Sequence, residues 1–135
     1  MAQLIDTSVL ISLERQRRPF SDLANAASYE PMALAAITAS ELLVGVLRSN
    51  SPQRRVRGEA FVEAVLERVP VLPFDLRVAR VHAEIWAVLA ATGQPIGSND
   101  MMIAATALAH GYSVLTGNIR DFNRVPGLEV RQPDW

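Results

Sequence analysis

Asp6, Glu41, Asp100 and Asp121 are the carboxylates placed where the sequence could support chemistry, and Asn118 stands among them. Asp6 lies in Leu4-Ile5-Asp6-Thr7-Ser8-Val9-Leu10-Ile11: apolar residues, one carboxylate, two hydroxyls, then apolar residues again. If these acids share one site, they repel and raise one another's pKa. A divalent cation resolves that repulsion, and oxygen ligands without His or Cys select a hard ion such as Mg²⁺ or Mn²⁺. Such a site can activate a water and stabilise charge on a phosphodiester, so hydrolysis of a nucleic-acid backbone is the natural chemistry. Each acid alone also has an ordinary structural use. Asp6 or Thr7 can cap a helix. Thr38 with Glu41 three residues on fits a capping box, in which Glu41 bonds back to the Thr38 backbone. Asp100 in a first helical turn suits the helix dipole, and Asp121 can cap a loop.

The elements needed to gather these residues follow from the pattern. A short buried strand ends at Asp6, and a helix opens at Thr7 or Ser8 and runs to about Arg15, with Val9, Leu10 and Leu13 on one face. A second short helix fits residues 21–27. The apolar run 32–37 reads as a strand buried on both faces, followed by a helix over 38–47. Residues 49–57 are polar and arginine-rich, a loop running into a helix over 59–68. Pro70 and Pro73 confine any strand over 69–74 to a sheet edge. Asp75 caps a helix to about Ala91 with a core stripe of Val78, Val81, Ile85, Trp86 and Leu89; His82 within it reads as an ordinary helix residue. Residues 92–97 form a loop. Ser98-Asn99-Asp100 opens a helix ending at His110, with Gly111 as its C-cap. A buried strand over 112–116, a polar loop over 116–122 and a last strand over 128–130 complete the chain.

Strands separated by helices cannot form hairpins, so the expected class is α/β, a central, mostly parallel β-sheet flanked by α-helices. In that arrangement Asp6, Glu41, Asp100, Asn118 and Asp121 all fall at the edge where strands end and helices begin. Capping accounts for each acid singly; it does not account for their convergence. Helix N-termini at the same edge also favour bound phosphate.

Composition narrows the classes. At 135 residues, half of them hydrophobic, the chain is expected to be one domain, 1–135. It has no cysteine, which excludes disulfides and thiolate metal sites. All 13 basic residues are arginine, which excludes chemistry that requires a lysine amine. That absence also counts against a phosphoacceptor signalling domain, which would pair its acids with a lysine. No apolar run is long enough to span a bilayer and no signal-peptide pattern is present, so a cytoplasmic protein is expected. The net charge of −1 argues against bulk electrostatic binding of nucleic acid, though not against a local patch. Arg15, Arg17, Arg18, Arg48, Arg54, Arg55 and Arg57 are the candidates for RNA-backbone contact; a solvated helical surface is the alternative for most of them.

Ile5-Asp6-Thr7-Ser8, Glu41 after a buried strand, Asp100-Met101-Met102-Ile103-Ala104-Ala105, and Thr116-Gly117-Asn118 through Asp121-Phe122 together resemble the PIN-domain ribonucleases. The small size and the ending Val125-Pro126-Gly127-Leu128 are most similar to the VapC toxins of bacterial toxin–antitoxin pairs. The resemblance spans nearly the whole chain. It implies a PIN-like fold, Mg²⁺- or Mn²⁺-dependent endoribonuclease activity on RNA, homodimerisation and neutralisation by a VapB-type antitoxin. Asp6, Glu41 and Asp100 match the family's acidic triad. Asp6 and Asp100 would be the principal metal ligands, and Glu41 would hold the metal through water or position the attacking water. Thr7 or Ser8, and Thr116, match small hydroxyl positions that steady the site. The chain departs from the pattern at Asn118, where many PIN domains carry a fourth acid; Asp121 could compensate or only cap its loop. A PIN fold acting as a non-enzymatic binding module is the alternative that this departure leaves open. A DNA-directed nuclease ranks lower, because so short a chain has little room for a DNA-threading element.

Overall fold

Short apolar runs become strands, and longer runs with apolar residues every third or fourth position become helices, in the computed structural model, which describes residues 1–135. In chain order these are β1 (Gln3–Ile5), α1 (Thr7–Arg15), α2 (Phe20–Ala26), β2 (Met32–Ala35), α3 (Ala36–Leu47), α4 (Pro52–Arg68), β3 (Val71–Leu72), α5 (Leu76–Ala91), α6 (Ser98–His110), β4 (Ser113–Leu115), α7 (Ile119–Phe122) and β5 (Val130–Arg131). The strands form one sheet in the order β3-β2-β1-β4-β5. Every pairing is parallel. The expected α/β class is therefore observed, with a sheet that is wholly parallel.

The register sets two cores. Gln3 lies opposite Met32 on one side and Ser113 on the other, and Ile5 lies opposite Leu115. Successive side chains point to opposite faces of a strand. Leu4, Ala33 and Val114 therefore pack with Ile85, Leu89, Ile103 and Ala104 beneath α5 and α6. Ile5, Leu34 and Leu115 pack on the other face with Val9, Leu13, Leu42 and Val65 from α1, α3 and α4. Each fully buried Leu or Ile contributes at most ~1.5–3 kcal/mol through this burial. Burial on both faces is why the strands read as unbroken apolar runs. No helix is long and apolar enough to cross a membrane.

Several expectations need correction. α3 begins at Ala36, two residues before Thr38, because the extended backbone ends at Ala35. α4 begins at Pro52, so little of 49–57 is loop; Ser51 caps it by accepting from the Arg54 N–H at 3.4 Å, with Pro52 in the first turn. The loop after β4 contains α7, and the last strand lies at 130–131, not 128–130. Trp86 is 60% exposed. It follows Ile85 by one position, about 100° around the helix, and so leaves the stripe that buries Val78, Ile85 and Leu89. Two end signals hold as read: Asp75 accepts from the Val78 N–H at 3.0 Å, and Gly111 closes α6 with φ of 69°.

Candidate active site

The strand order places a crevice at the carboxyl ends of β1 and β4. From β1 the chain builds towards β2 and β3, while β4 and β5 lie on β1's other side. Connections leaving neighbouring strands in opposite directions open the sheet edge at that point. Asp6 follows β1, and Thr116, Gly117 and Asn118 follow β4.

Asp6 is almost fully buried, at 3% exposure. It occupies the N-cap position of α1, but its side chain makes no capping bond. Its Oδ2 accepts from Ser8 Oγ at 2.6 Å and from Thr116 Oγ1 at 2.7 Å. The Ser8 hydroxyl in turn accepts from the Gly117 N–H at 3.1 Å, and the Thr116 hydroxyl from the Asn118 N–H at 2.8 Å. The turn after β4 thus binds to the turn after β1 through two hydroxyls that both end on one carboxylate oxygen. Bonds this short are typical where the acceptor carries charge.

Glu41 is not part of a capping box. With α3 starting at Ala36, Glu41 lies beyond the first turn, and Thr38 is a buried helix residue. Thr7 Oγ1 lies 3.1 Å from Thr38 Oγ1 and donates to Glu41 Oε1 at 2.8 Å. Glu41 Oε2 accepts from Asn99 Nδ2 at 3.3 Å. Thr38 and Asn99 as partners in this network escape the sequence reading. The signal for Asn99 is its position beside Asp100 in a helix opening at the same edge.

Asn118 connects the remaining acids. Its Nδ2 donates to Asp100 Oδ2 at 3.2 Å and to Asp121 Oδ2 at 3.0 Å. One amide thereby ties Asp121 to Asp100. The other Asp121 oxygen lies 3.6 Å from the Arg124 guanidinium, which also donates to the Pro95 carbonyl at 2.9 Å. Burial pushes the Asp100 carboxyl from 3.8 up to about 6. Repulsion from Asp6 adds to the rise, the Asn118 hydrogen bond opposes it, and Asp121 and Glu41 contribute further. Acids from four separate parts of the chain thus act on one another in one crevice.

This donor set suits a hard divalent cation. It offers carboxylate oxygens and, at Asn118, an amide oxygen. Neither histidine belongs to it: His82 packs edge-on to Phe74, and His110 pairs with Arg77. The carboxylates do not form a ready-made cage of three or more ligands. Mg²⁺ retains several waters and needs only one or two carboxylates, so the absence of such a cage does not count against a fit. Burial first, and the neighbouring carboxylates second, raise the Asp100 pKa, and a divalent cation would favour its charged form.

The family model described as PIN domain matches residues 4–128, and the chain belongs to the PIN-domain family. Ribonuclease VapC1 of Rickettsia felis is 40% identical over 130 residues, 96% of this chain and 95% of that protein. The tRNA(fMet)-specific endonuclease VapC of Salmonella typhimurium is 38% identical over 104 residues, covering 77% and 75%. Among solved structures, DNA-bound VapBC from Salmonella typhimurium superposes with a TM-score of 0.86 at 32% identity, over 98% of each chain. Within the PIN domains, this chain is a member of the VapC ribonucleases.

Proposed function

We propose that this protein is a Mg²⁺-dependent endoribonuclease toxin, with Mn²⁺ as a substitute, that hydrolyses RNA phosphodiester bonds at the β1/β4 crevice. The observation that carries this reading is the convergence of Asp6, Glu41, Asp100 and Asp121 on one crevice of a VapC chain, where Thr116, Asn99 and Asn118 bond to them. Asp6 and Asp100 would hold the cation, with Glu41 beside them. When bound, the cation supplies charge stabilisation at the phosphodiester and eases deprotonation of the attacking water.

The chain's own residues do the rest. Ser8 and Thr116 fix the orientation of Asp6, and Thr7 fixes that of Glu41. Glu41 would hold the cation through water or position the attacking water. Asn118 takes the position of the fourth acid as a neutral bridge between Asp100 and Asp121. Asp121, already facing Arg124, serves mainly to anchor that bridge. The N-terminus of α6 at the same edge favours the phosphate. The Salmonella relative named for tRNA(fMet) makes a structured RNA the substrate to try first, cut where unstacked bases are accessible.

A VapB-type antitoxin is the proposed inhibitor, and the VapBC likeness supports it. A groove of about 900 Å³ between α1, α3 and α4 offers a place for it, with apolar Ile11, Val46 and Phe61 beside Arg15, Arg54 and Arg57. An acidic amphipathic segment suits that lining and could continue along α1 to the crevice. Arg18 serves the fold instead: it pairs with Asp22 at 3.2 Å and lies over the Trp135 ring. A homodimer is proposed from the family likeness.

The test is cleavage of total RNA by purified protein with Mg²⁺ or Mn²⁺, against EDTA, an Asp6→Asn variant and a DNA control. Specific RNA cleavage lost with EDTA and with Asp6→Asn is the expected result. Folded, partner-free protein that cleaves no RNA would favour a binding module, and Asn118→Asp would then be the first variant to make.

A further inference from the structure

Glu41 comes from α3, which follows β2, the strand beside β1 on the side away from β4. Its carboxylate and that of Asp100 repel each other, and both of its oxygens are held. Thr7 holds Oε1 at 2.8 Å and Asn99 holds Oε2 at 3.3 Å. The amide must present its NH₂ here, because its carbonyl oxygen would face a carboxylate with no proton between them. Asn99 is partly buried and immediately precedes Asp100, so the first turn of α6 carries both an acid of the site and a tether for another acid. The Asn99 side chain makes no cap bond to α6, whose N-cap is Gly97; its one hydrogen bond is to Glu41.

We propose that Asn99 is a positioning residue: it holds the Glu41 carboxylate at a fixed offset from Asp100 against their mutual repulsion, through the Nδ2···Oε2 contact. The proposal deepens the nuclease reading above and rests on it for the role of Glu41. Removing the tether should free Glu41 to rotate away and weaken the site's hold on a divalent cation. Neither RNA contact nor the α6 backbone should change.

The experiment is a double-mutant cycle on the full chain, with Mn²⁺ affinity measured by isothermal titration and RNA cleavage measured in parallel. The variants are Asn99→Ala, Glu41→Gln and both together. Asn99→Ala is expected to weaken Mn²⁺ binding and lower kcat by about tenfold, the low end for a hydrogen bond to a charged group, with KM for RNA within about twofold. In the Glu41→Gln background it should change Mn²⁺ affinity no further. Wild-type Mn²⁺ affinity in Asn99→Ala, or equal losses with and without Glu41, overturns the proposal. Asn99→Asp supplies a second control. It keeps the side-chain shape and puts a favourable charge in the first helical turn, so a role confined to opening α6 predicts full cleavage. Loss of the tether predicts a fall of about tenfold or more, and full cleavage would also overturn the proposal. If the wild type cleaves no RNA, the nuclease reading falls, while the Mn²⁺ cycle still decides the role of Asn99.

Discussion

The acidic crevice and the arginine-lined groove lie about 10 Å apart along α1, at 1.5 Å per residue from Thr7 to Glu14, and they manage charge by opposite means. In the crevice, neutral donors hold the acids: Ser8 and Thr116 on Asp6, Thr7 and Asn99 on Glu41, Asn118 on Asp100 and Asp121. The one cation there is Arg124, on the outer oxygen of Asp121. In the groove, Arg15, Arg17, Arg54 and Arg57 form no ion pair. The carboxylate among them, Glu14, has its pKa raised because burial outweighs the attraction of Arg15 and Arg57. A net charge of −1 therefore conceals two regions of opposite sign, neither neutralised from within. The crevice suits a small divalent cation, and the groove an acidic chain.

The largest expected effect separates the two regions at once. Asp6→Asn keeps an oxygen for Ser8 and Thr116 to bond, so the fold should persist. RNA cleavage should nevertheless fall at least ~10³-fold, because the charge proposed to hold the cation is gone. Antitoxin binding should change far less. Near-normal cleavage by this variant would remove Asp6 from the chemistry. The converse variant, Arg54→Glu with Arg57→Glu, should weaken binding of a VapB-type antitoxin by about tenfold to a hundredfold. Its loss in antitoxin affinity should exceed its loss in cleavage by about tenfold or more. Equal losses in the two assays would mean that groove and crevice are one surface.

Thr116→Val tests how the crevice is built. The hydroxyl is fully buried, donates to Asp6 and accepts from the Asn118 N–H. Valine matches its shape, leaves the Asn118 N–H unpaired and strips Asp6 of one of its two hydroxyl donors, at a cost of about 1–3 kcal/mol. Thermal denaturation should show a Tm lower by roughly 4–11 °C, and Thr116→Ser should restore most of it. An unchanged Tm would mean that water replaces the hydroxyl without cost.

These residues also show how far the sequence could be read. The edge where the acids meet was legible, because alternation of apolar runs and helices fixes which ends of the elements coincide. Asp75 and Gly111 declared their helix ends through local chemistry alone. What escaped was whatever depends on which way a side chain turns after the chain folds. Asp6 and Glu41 each carry a valid capping signature, yet each spends oxygens on residues 34 or more positions distant in sequence, and Asp6 also on its neighbour Ser8. No local pattern encodes that choice. Trp86 failed for a different reason: one residue off a helical stripe is still apolar in sequence but faces outward. The start of α4 was legible in principle from Ser51-Pro52, a cap followed by a first-turn proline. The arginines that follow obscured it, because a long exposed helix and a polar loop share their composition.

The smallest expected effect is also the most direct probe of the crevice's electrostatics. Asp100 carries a carboxyl pushed up to about 6 in the folded chain from 3.8. Below about pH 4 it is protonated both folded and unfolded, and it contributes no pH dependence. Between about 4 and 6 the unfolded chain has lost the proton and the folded chain still holds it, so stability falls as pH rises. Above 6 both forms are charged and the penalty is complete and constant. Asp100→Asn removes that slope. The difference between wild-type and variant melting curves, taken without divalent ions, isolates it from the slopes of the other acids. At pH 7.5 the variant should melt on the order of 2–4 °C higher, a modest gain because a half-exposed group is partly screened. Adding Mn²⁺ should reverse the order, since the cation favours the charged carboxylate that only the wild type has. A variant less stable than wild type without metal would mean that Asn118's bond to Asp100 outweighs burial and repulsion. In that case the crevice would be a settled hydrogen-bond network, and its contrast with the groove would lose its electrostatic basis.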